Sequence, residues 1–254
     1  MPELTFLGTG TSQGVPVIGC ECPVCLSEDP RNKRTRTSAL IEYQGQHILI
    51  DTSIDLRQQA LREGLKHIEA VLFTHTHVDH LFGLDEIRQF NRLGLDNIPV
   101  YASAHSAEQI RRVFPYVFTP PKVHGGIPSI DLHEITGPFE VYGLEIIPVP
   151  IWHGQRPILG FRFHRVAYLT DCSGIPESSM ELLQGLDLLV LDGLRERPHP
   201  THFNMEQACE IAHRLKPTQT YLVHMSHEVE HVAMNEKLPP GVQLAYDGMK
   251  VRFE

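Results

Sequence analysis

Thr74-His75-Thr76-His77-Val78-Asp79-His80 puts three histidines and an aspartate within the six positions from 75 to 80. Ala70-Val71-Leu72-Phe73 runs directly into it, a short apolar segment that reads as a buried strand. A strand that stops abruptly in such residues sets them on a loop at a sheet edge, where they can converge on one point. Neutral imidazoles and a carboxylate are the donors that a divalent transition metal takes from a protein. A lone histidine would read as an ordinary half-buried polar residue. Four donors in the order H-x-H-x-D-H predict a metal site.

The same event recurs along the chain. Apolar strand candidates also end in ligand-type residues at Asp51, His153, Asp171, Asp192 and His224. Each alone is an ordinary turn or cap residue. Together, strands that end this way on one sheet edge predict a common site. Further strands are predicted over residues 3–7, 98–101, 159–163, 165–169, 186–191 and 220–223. Hairpins are predicted for 38–43 with 46–50, 139–142 with 144–149, and 242–245 with 249–253. Helices are predicted over 54–65, 84–93, 105–114 and 177–183, and in a last stretch reaching 238. Another starts near Asn204, which forms a capping-box pattern with Gln207. Residues 119–138, rich in Pro and Gly, read as an irregular loop bordering the site.

Two segments near the N-terminus carry their own chemistry. Gly8-Thr9-Gly10-Thr11-Ser12-Gln13-Gly14 is a glycine-rich loop after a strand. No helix clearly follows it, which counts against a dinucleotide fingerprint or a P-loop. Cys20-Glu21-Cys22-Pro23-Val24-Cys25 offers three thiolates at C-x-C-x-x-C spacing, and a structural zinc would need a fourth ligand from elsewhere.

Composition sets the frame. The chain has 254 residues, 41% hydrophobic and 21% charged, enough for a sizeable core and read as one domain over 1–254. Its net charge of −9 argues against non-specific nucleic-acid binding. No apolar run is long enough to span a membrane, and the N-terminus lacks a signal pattern, so a cytoplasmic protein is expected.

The ordered set His75-x-His77-x-Asp79-His80, His153, Asp171, His224 resembles the metallo-β-lactamase superfamily over nearly the whole chain. The resemblance implies an α/β fold of the αβ/βα sandwich type, two mixed β-sheets flanked by helices. It implies two divalent metals, Zn or Mn. His75, His77 and His153 would hold one; Asp79, His80 and His224 would hold the other, with Asp171 bridging. Leu7–Pro16, the cysteine loop, Val223–His227 and Asp247-Gly248-Met249 are similar to the PhnP-like phosphodiesterase branch. That likeness makes His227 the fourth ligand of a structural zinc with Cys20, Cys22 and Cys25. It places His202 as catalytic proton donor, with His199 as a nearby competitor, and Asp79 in the catalytic set.

The implied activity is opening of 5-phosphoribosyl 1,2-cyclic phosphate in phosphonate metabolism, on a small anionic phosphodiester and in a homodimer. Asp51 is a candidate to orient a metal-binding imidazole. Arg156, Arg195 and Arg197 are candidates to hold a ribose 5-phosphate. Two rivals stand beside this reading. One is a phosphodiesterase for another cyclic nucleotide or an RNA; the tRNA-processing members, however, carry a protruding arm that this chain lacks. The other is an oxidative enzyme of cofactor biosynthesis similar to the PqqB family.

Overall fold

Runs rich in β-branched and aromatic residues become fourteen strands among the residues that the computed structural model describes, 2–94, 96–119 and 126–253. In chain order they are β1 (Glu3–Gly8), β2 (Ser38–Tyr43), β3 (Gln46–Ile50), β4 (Ala70–Leu72), β5 (Ile98–Ala102), β6 (Ile130–Glu134) and β7 (Phe139–Val141). Then follow β8 (Leu144–His153), β9 (Arg156–Phe163), β10 (Val166–Leu169), β11 (Leu188–Asp192), β12 (Gln219–Val223), β13 (Val242–Leu244) and β14 (Lys250–Arg252). They form two mixed sheets of seven, in the orders β14-β1-β2-β3-β4-β5-β6 and β13-β12-β11-β10-β9-β8-β7.

The period-two rule of a strand builds the layers. Phe6, Ile41, Ile50 and Leu72 point inward from the first sheet and meet Phe161, Tyr168, Val190 and Val223 of the second. Leu7, Leu40, Leu49 and Val71 point outward, where they pack with Leu56, Ile87 and Ile110 of flanking helices. On the far side, Leu169, Leu189 and Leu222 pack with Met180, Ala208 and Leu215 of helices Glu177–Leu182 and Met205–Leu215. Strands covered on both faces have no polar face to alternate with, so β4, β10 and β11 are buried throughout. The result is the αβ/βα sandwich, with parallel strands β3-β4-β5 and β10-β11-β12 near the middle of each sheet.

Three expectations need correction. The last two strands are not a hairpin: β13 lies parallel to β12, while β14 lies antiparallel to β1 in the other sheet. The connector is pinned between the sheets. One oxygen of Asp247 accepts from the N–H and hydroxyl of Thr9, the other from the N–H and hydroxyl of Thr35. Residues 119–138 are not wholly irregular, because β6 forms within them, parallel to β5; residues 120–125 of that stretch lie outside the described residues. The helix expected at 84–93 opens as a 3-10 turn, Phe82–Glu86, and becomes α-helical only over Ile87–Arg92.

Candidate metal centre

The opening motif is half extended and half helical. After β4 the chain stays extended through His77, which caps the short helix Val78–Leu81. The N–H groups of His80 and Leu81 both donate to the His77 carbonyl at 3.0 Å. This turn brings Asp79 and His80 round beside His75 instead of letting them run on into solvent. Asp51, Asp171 and His224, just past the ends of β3, β10 and β12, have φ of 59°, 55° and 61°. Non-glycine residues in the left-handed region are disfavoured by about 1 kcal/mol or more. Three of them at three strand ends turn the chain sharply enough to aim each side chain across the sheet edge.

Two donor sets result. His75, His77, His153 and Asp171 have ligand atoms within 4.8 Å of one another, and so do Asp79, His80, Asp171 and His224. Asp171 belongs to both and divides its oxygens between them. Oδ1 lies 3.1 Å from His80 Nε2 and 3.4 Å from His224 Nε2, while Oδ2 lies 3.7 Å from His75 Nε2. Four of these buried atoms, His75 Nε2, Asp79 Oδ2, His80 Nε2 and His224 Nε2, have no hydrogen-bond partner among the described residues. Leaving a buried polar atom unsatisfied costs about 1–3 kcal/mol each. Four orphans aimed at one region fit a pair of cations as the missing partners.

The outer nitrogens of His80, His75 and His153 have partners. Asp51 accepts from the Thr74 N–H at 2.8 Å and the Thr74 hydroxyl at 2.7 Å, and its Oδ2 lies 2.7 Å from His80 Nδ1. The Thr74 hydroxyl also lies 3.0 Å from His75 Nδ1. His153 Nδ1 donates to the Thr201 carbonyl at 2.8 Å, which turns its Nε2 toward the cluster. Burial holds His75, His77 and His153 below the ordinary imidazole range, hence neutral as ligands must be. For His80 burial pulls the same way, but Asp171, Asp79 and Asp51 outweigh it and raise the group. Burial would push Asp171 up; His224 and His80 outweigh that and keep it ionised.

Beside the second set sits a pair that the sequence reading left incomplete. His202 Nδ1 lies 2.7 Å from Asp192 Oδ2, both buried, and both are grouped with His224. Burial raises the Asp192 carboxyl and lowers the His202 imidazole. The sequence marks Asp192 as a strand end without giving it a role; an aspartate ten residues before a candidate proton donor is the available signal. The Thr201 carbonyl left no signal, because any residue carries one. His199 stays out of the donor cluster, its Nδ1 3.2 Å from the Thr201 hydroxyl.

At the other end of the site, the sulfurs of Cys20, Cys22 and Cys25 lie 3.3, 3.4 and 3.7 Å from His227 Nδ1. The Cys25 N–H, donating to the Cys22 sulfur, helps bring that thiol down to about 6. Thiolate character at Cys22 and convergent sulfurs fit a soft divalent ion, although burial pushes the Cys25 thiol up to about 11. Buried Arg34 ties the two segments, donating to the carbonyls of Ser226 at 3.1 Å and Val229 at 2.8 Å. A further group, His47, His67 and Glu69, also lies together, with His47 on β3. There the two rings stack at 4.2 Å and 8°, so their in-plane lone pairs do not converge.

A family model described as a beta-lactamase superfamily domain matches residues 46–225. The chain belongs to the metallo-β-lactamase superfamily. Within it, a crystal structure of a new diphosphatase from the PhnP family is 45% identical, with a TM-score of 0.93, covering 100% of this chain and 98% of that one. Zn-bound PqqB from Methylobacterium extorquens shares the fold, with a TM-score of 0.81 at 21% identity, covering 99% and 100% of the two chains. Among curated proteins, an octanoyltransferase of Porphyromonas gingivalis (strain ATCC BAA-308 / W83) is 42% identical over 252 residues. The match covers 96% of this chain and 50% of that protein, so the chain spans about half of that relative's length. Coenzyme PQQ synthesis protein B of Methylobacterium nodulans is 28% identical over 222 residues, 75% of this chain and 72% of that one. The chain thus falls in the PhnP-like branch of that superfamily.

One cavity opens onto this metallo-β-lactamase centre at His75, His77 and His153, and a second borders His202. Arg156 lines the one beside His75, His77 and His153; Arg195 and Arg197 line the one beside His202. Among the described residues, no helix is long and apolar enough to cross a membrane.

Proposed function

We propose that the chain is a dinuclear phosphodiesterase that opens a cyclic phosphate, with 5-phosphoribosyl 1,2-cyclic phosphate as its substrate. The observation that carries this reading is the Asp192–His202 pair at 2.7 Å beside a carboxylate, Asp171, shared by two donor sets. His75, His77 and His153 would hold one divalent ion, Asp79, His80 and His224 the second, and Asp171 both. Such ions, when bound, supply a water acidic enough to attack phosphorus near neutral pH and offset charge on the phosphoryl oxygens. Asp51 and the Thr201 carbonyl keep the imidazoles aimed. His202 does the proton work. As water adds to phosphorus and the bond to the alcohol oxygen breaks, Nε2 delivers a proton to that oxygen. It recovers one from the water, and Asp192 keeps the Nδ1 proton in place throughout. Cys20, Cys22, Cys25 and His227 would hold a separate zinc, which would fasten the N-terminal loop to the segment following His224.

One observation favours a second reading within the same chemistry. The similar structure at 45% identity is a diphosphatase, and the donor sets suit a phosphoanhydride as well as a phosphodiester. The octanoyltransferase name belongs to a protein twice this length, and neither donor set here calls for acyl transfer. Phosphorus NMR of the metal-replete protein with the cyclic phosphate and with a diphosphate, run separately, tests the proposal. Conversion of the cyclic phosphate to a phosphomonoester at the higher kcat/KM supports it; a clear preference for the diphosphate supports the second reading.

A further inference from the structure

Two cavities adjoin this site, one lined by His75, His77 and His153 and one by His202, and each carries a net positive charge on its lining side chains. The one beside His75, His77 and His153 has a volume of about 720 Å³ and carries Arg156. The one beside His202 is smaller, about 360 Å³, and Ser12, Gln13, Arg195, Arg197 and His199 wall it. In this second cavity two guanidiniums lean on one carboxylate. Arg195 Nη1 donates to Glu228 Oε1 at 3.0 Å, while Arg197 donates from Nε and Nη2 to the two Glu228 oxygens at 2.7 and 2.8 Å. Two arginines on one glutamate leave a net positive charge, in a chain whose own net charge is −9. Arg195 is the more enclosed of the two, with 17% of its side chain exposed against 66% for Arg197. Its Nε is buried without a hydrogen-bond partner among the described residues.

His202 decides which part of a substrate lies there. Its Nδ1 is turned to Asp192, so the proton passes through Nε2, and the leaving oxygen must come within hydrogen-bond reach of that atom. Whatever is bonded to the leaving oxygen then extends past His202 into the cavity that this residue lines, toward His199, whose ring centre is 5.1 Å from its own.

Resting on the phosphoester reading above, we propose that Arg195 and Arg197, held in place by Glu228, set the specificity of this chain by binding a phosphate group on the leaving side of the substrate. That phosphate is either a monoester carried by the leaving alcohol or the leaving phosphate of a diphosphate. A guanidinium fork matches phosphate oxygens in a way that a lone ammonium does not, and it keeps its charge at any working pH. Glu228 spans both forks and fixes their spacing before the substrate arrives. Arg156 lines the other cavity, with His75, His77 and His153, and is the competing assignment.

The test compares kcat/KM of the metal-replete protein for ribose 1,2-cyclic phosphate with and without a 5-phosphate, and for bis(p-nitrophenyl) phosphate, whose leaving group carries no phosphate. Inorganic diphosphate forms a further arm. The expected result is at least a tenfold preference for the 5-phosphorylated compound, or for diphosphate, whichever is the source. Arg195→Gln and Arg197→Gln each cut that preference at least tenfold, chiefly through KM, with metal content and melting temperature retained. Arg195→Lys, which keeps the charge, recovers part of it, and Arg156→Gln leaves the preference as it was. A preference that survives Arg195→Gln and Arg197→Gln together, or disappears in Arg156→Gln, overturns the assignment. If the wild type turns over bis(p-nitrophenyl) phosphate and both sugars with equal efficiency, the subsite alone is wrong. If it turns over no phosphorus compound at full metal load, the phosphoester reading falls and takes the subsite with it.

Discussion

His202 is buried, held at Nδ1 by Asp192 and stacked at 4.7 Å on His224, which leaves Nε2 as its free nitrogen. Replacing it by alanine removes a proton donor and no ligand of either proposed ion. His202→Ala is expected to lower kcat by about 10²–10⁴, the usual worth of general acid catalysis, with metal content unchanged by elemental analysis. Asp192→Asn is expected to fall between that variant and the wild type; wild-type turnover in His202→Ala would remove the residue from the mechanism. His231 gives a residue-level prediction of a different kind. It is buried against Tyr246, and burial pushes its imidazole from 6.5 down to about 4. As pH falls from 6.5 the unfolded chain takes up this proton before the folded one does, so stability drops between pH 6.5 and about 4 and levels off below. His231→Gln should flatten the unfolding free energy against pH in that window, by up to about 1.4 kcal/mol per pH unit, read by denaturant titration. An unchanged slope would mean that His231 does not contribute.

Elements do a second job here, since strands end where chemistry starts. Asp51 follows β3 and binds Thr74 and His80 on the neighbouring strand end, so it couples two elements and never needs to touch an ion. Asp51→Ala is expected to weaken metal binding about 10–100-fold, the usual effect of losing an outer partner of a ligating histidine. Metal titration monitored by calorimetry measures it; wild-type affinity would show that the orientation of His80 comes from packing alone. This level was also the most legible in the sequence. The H-x-H-x-D-H run, the capping box at Asn204 and Gln207, and the apolar strands ahead of Asp51, His153, Asp171 and His224 are local patterns, and the structure places them accordingly. Pairing partners are not local. Nothing within residues 242–253 says that β13 joins one sheet and β14 the other; that follows from Asp247 reaching Thr9 and Thr35, more than two hundred residues away. For the same reason the Arg195–Glu228–Arg197 clamp could not be read from positions 195 and 197 alone.

At the scale of the whole molecule the cysteine loop is a fastening between chain ends. Cys20, Cys22 and Cys25 reach His227 across about two hundred residues, and Arg34 reaches the carbonyls on either side of it. Cys22→Ala is therefore expected to lose one zinc per chain and to loosen both the N-terminal loop and the edge carrying His224; full zinc content by elemental analysis would rule out that site. The central claim, however, is that two donor sets sharing Asp171 run phosphodiester hydrolysis. The most direct measurement is phosphorus NMR of 5-phosphoribosyl 1,2-cyclic phosphate incubated with protein whose metal content has been determined in the same sample. The account predicts ring opening to a phosphomonoester, with two metals bound besides the cysteine-held zinc and with turnover lost in Asp171→Ala. An intact cyclic phosphate after prolonged incubation with fully loaded protein would contradict it.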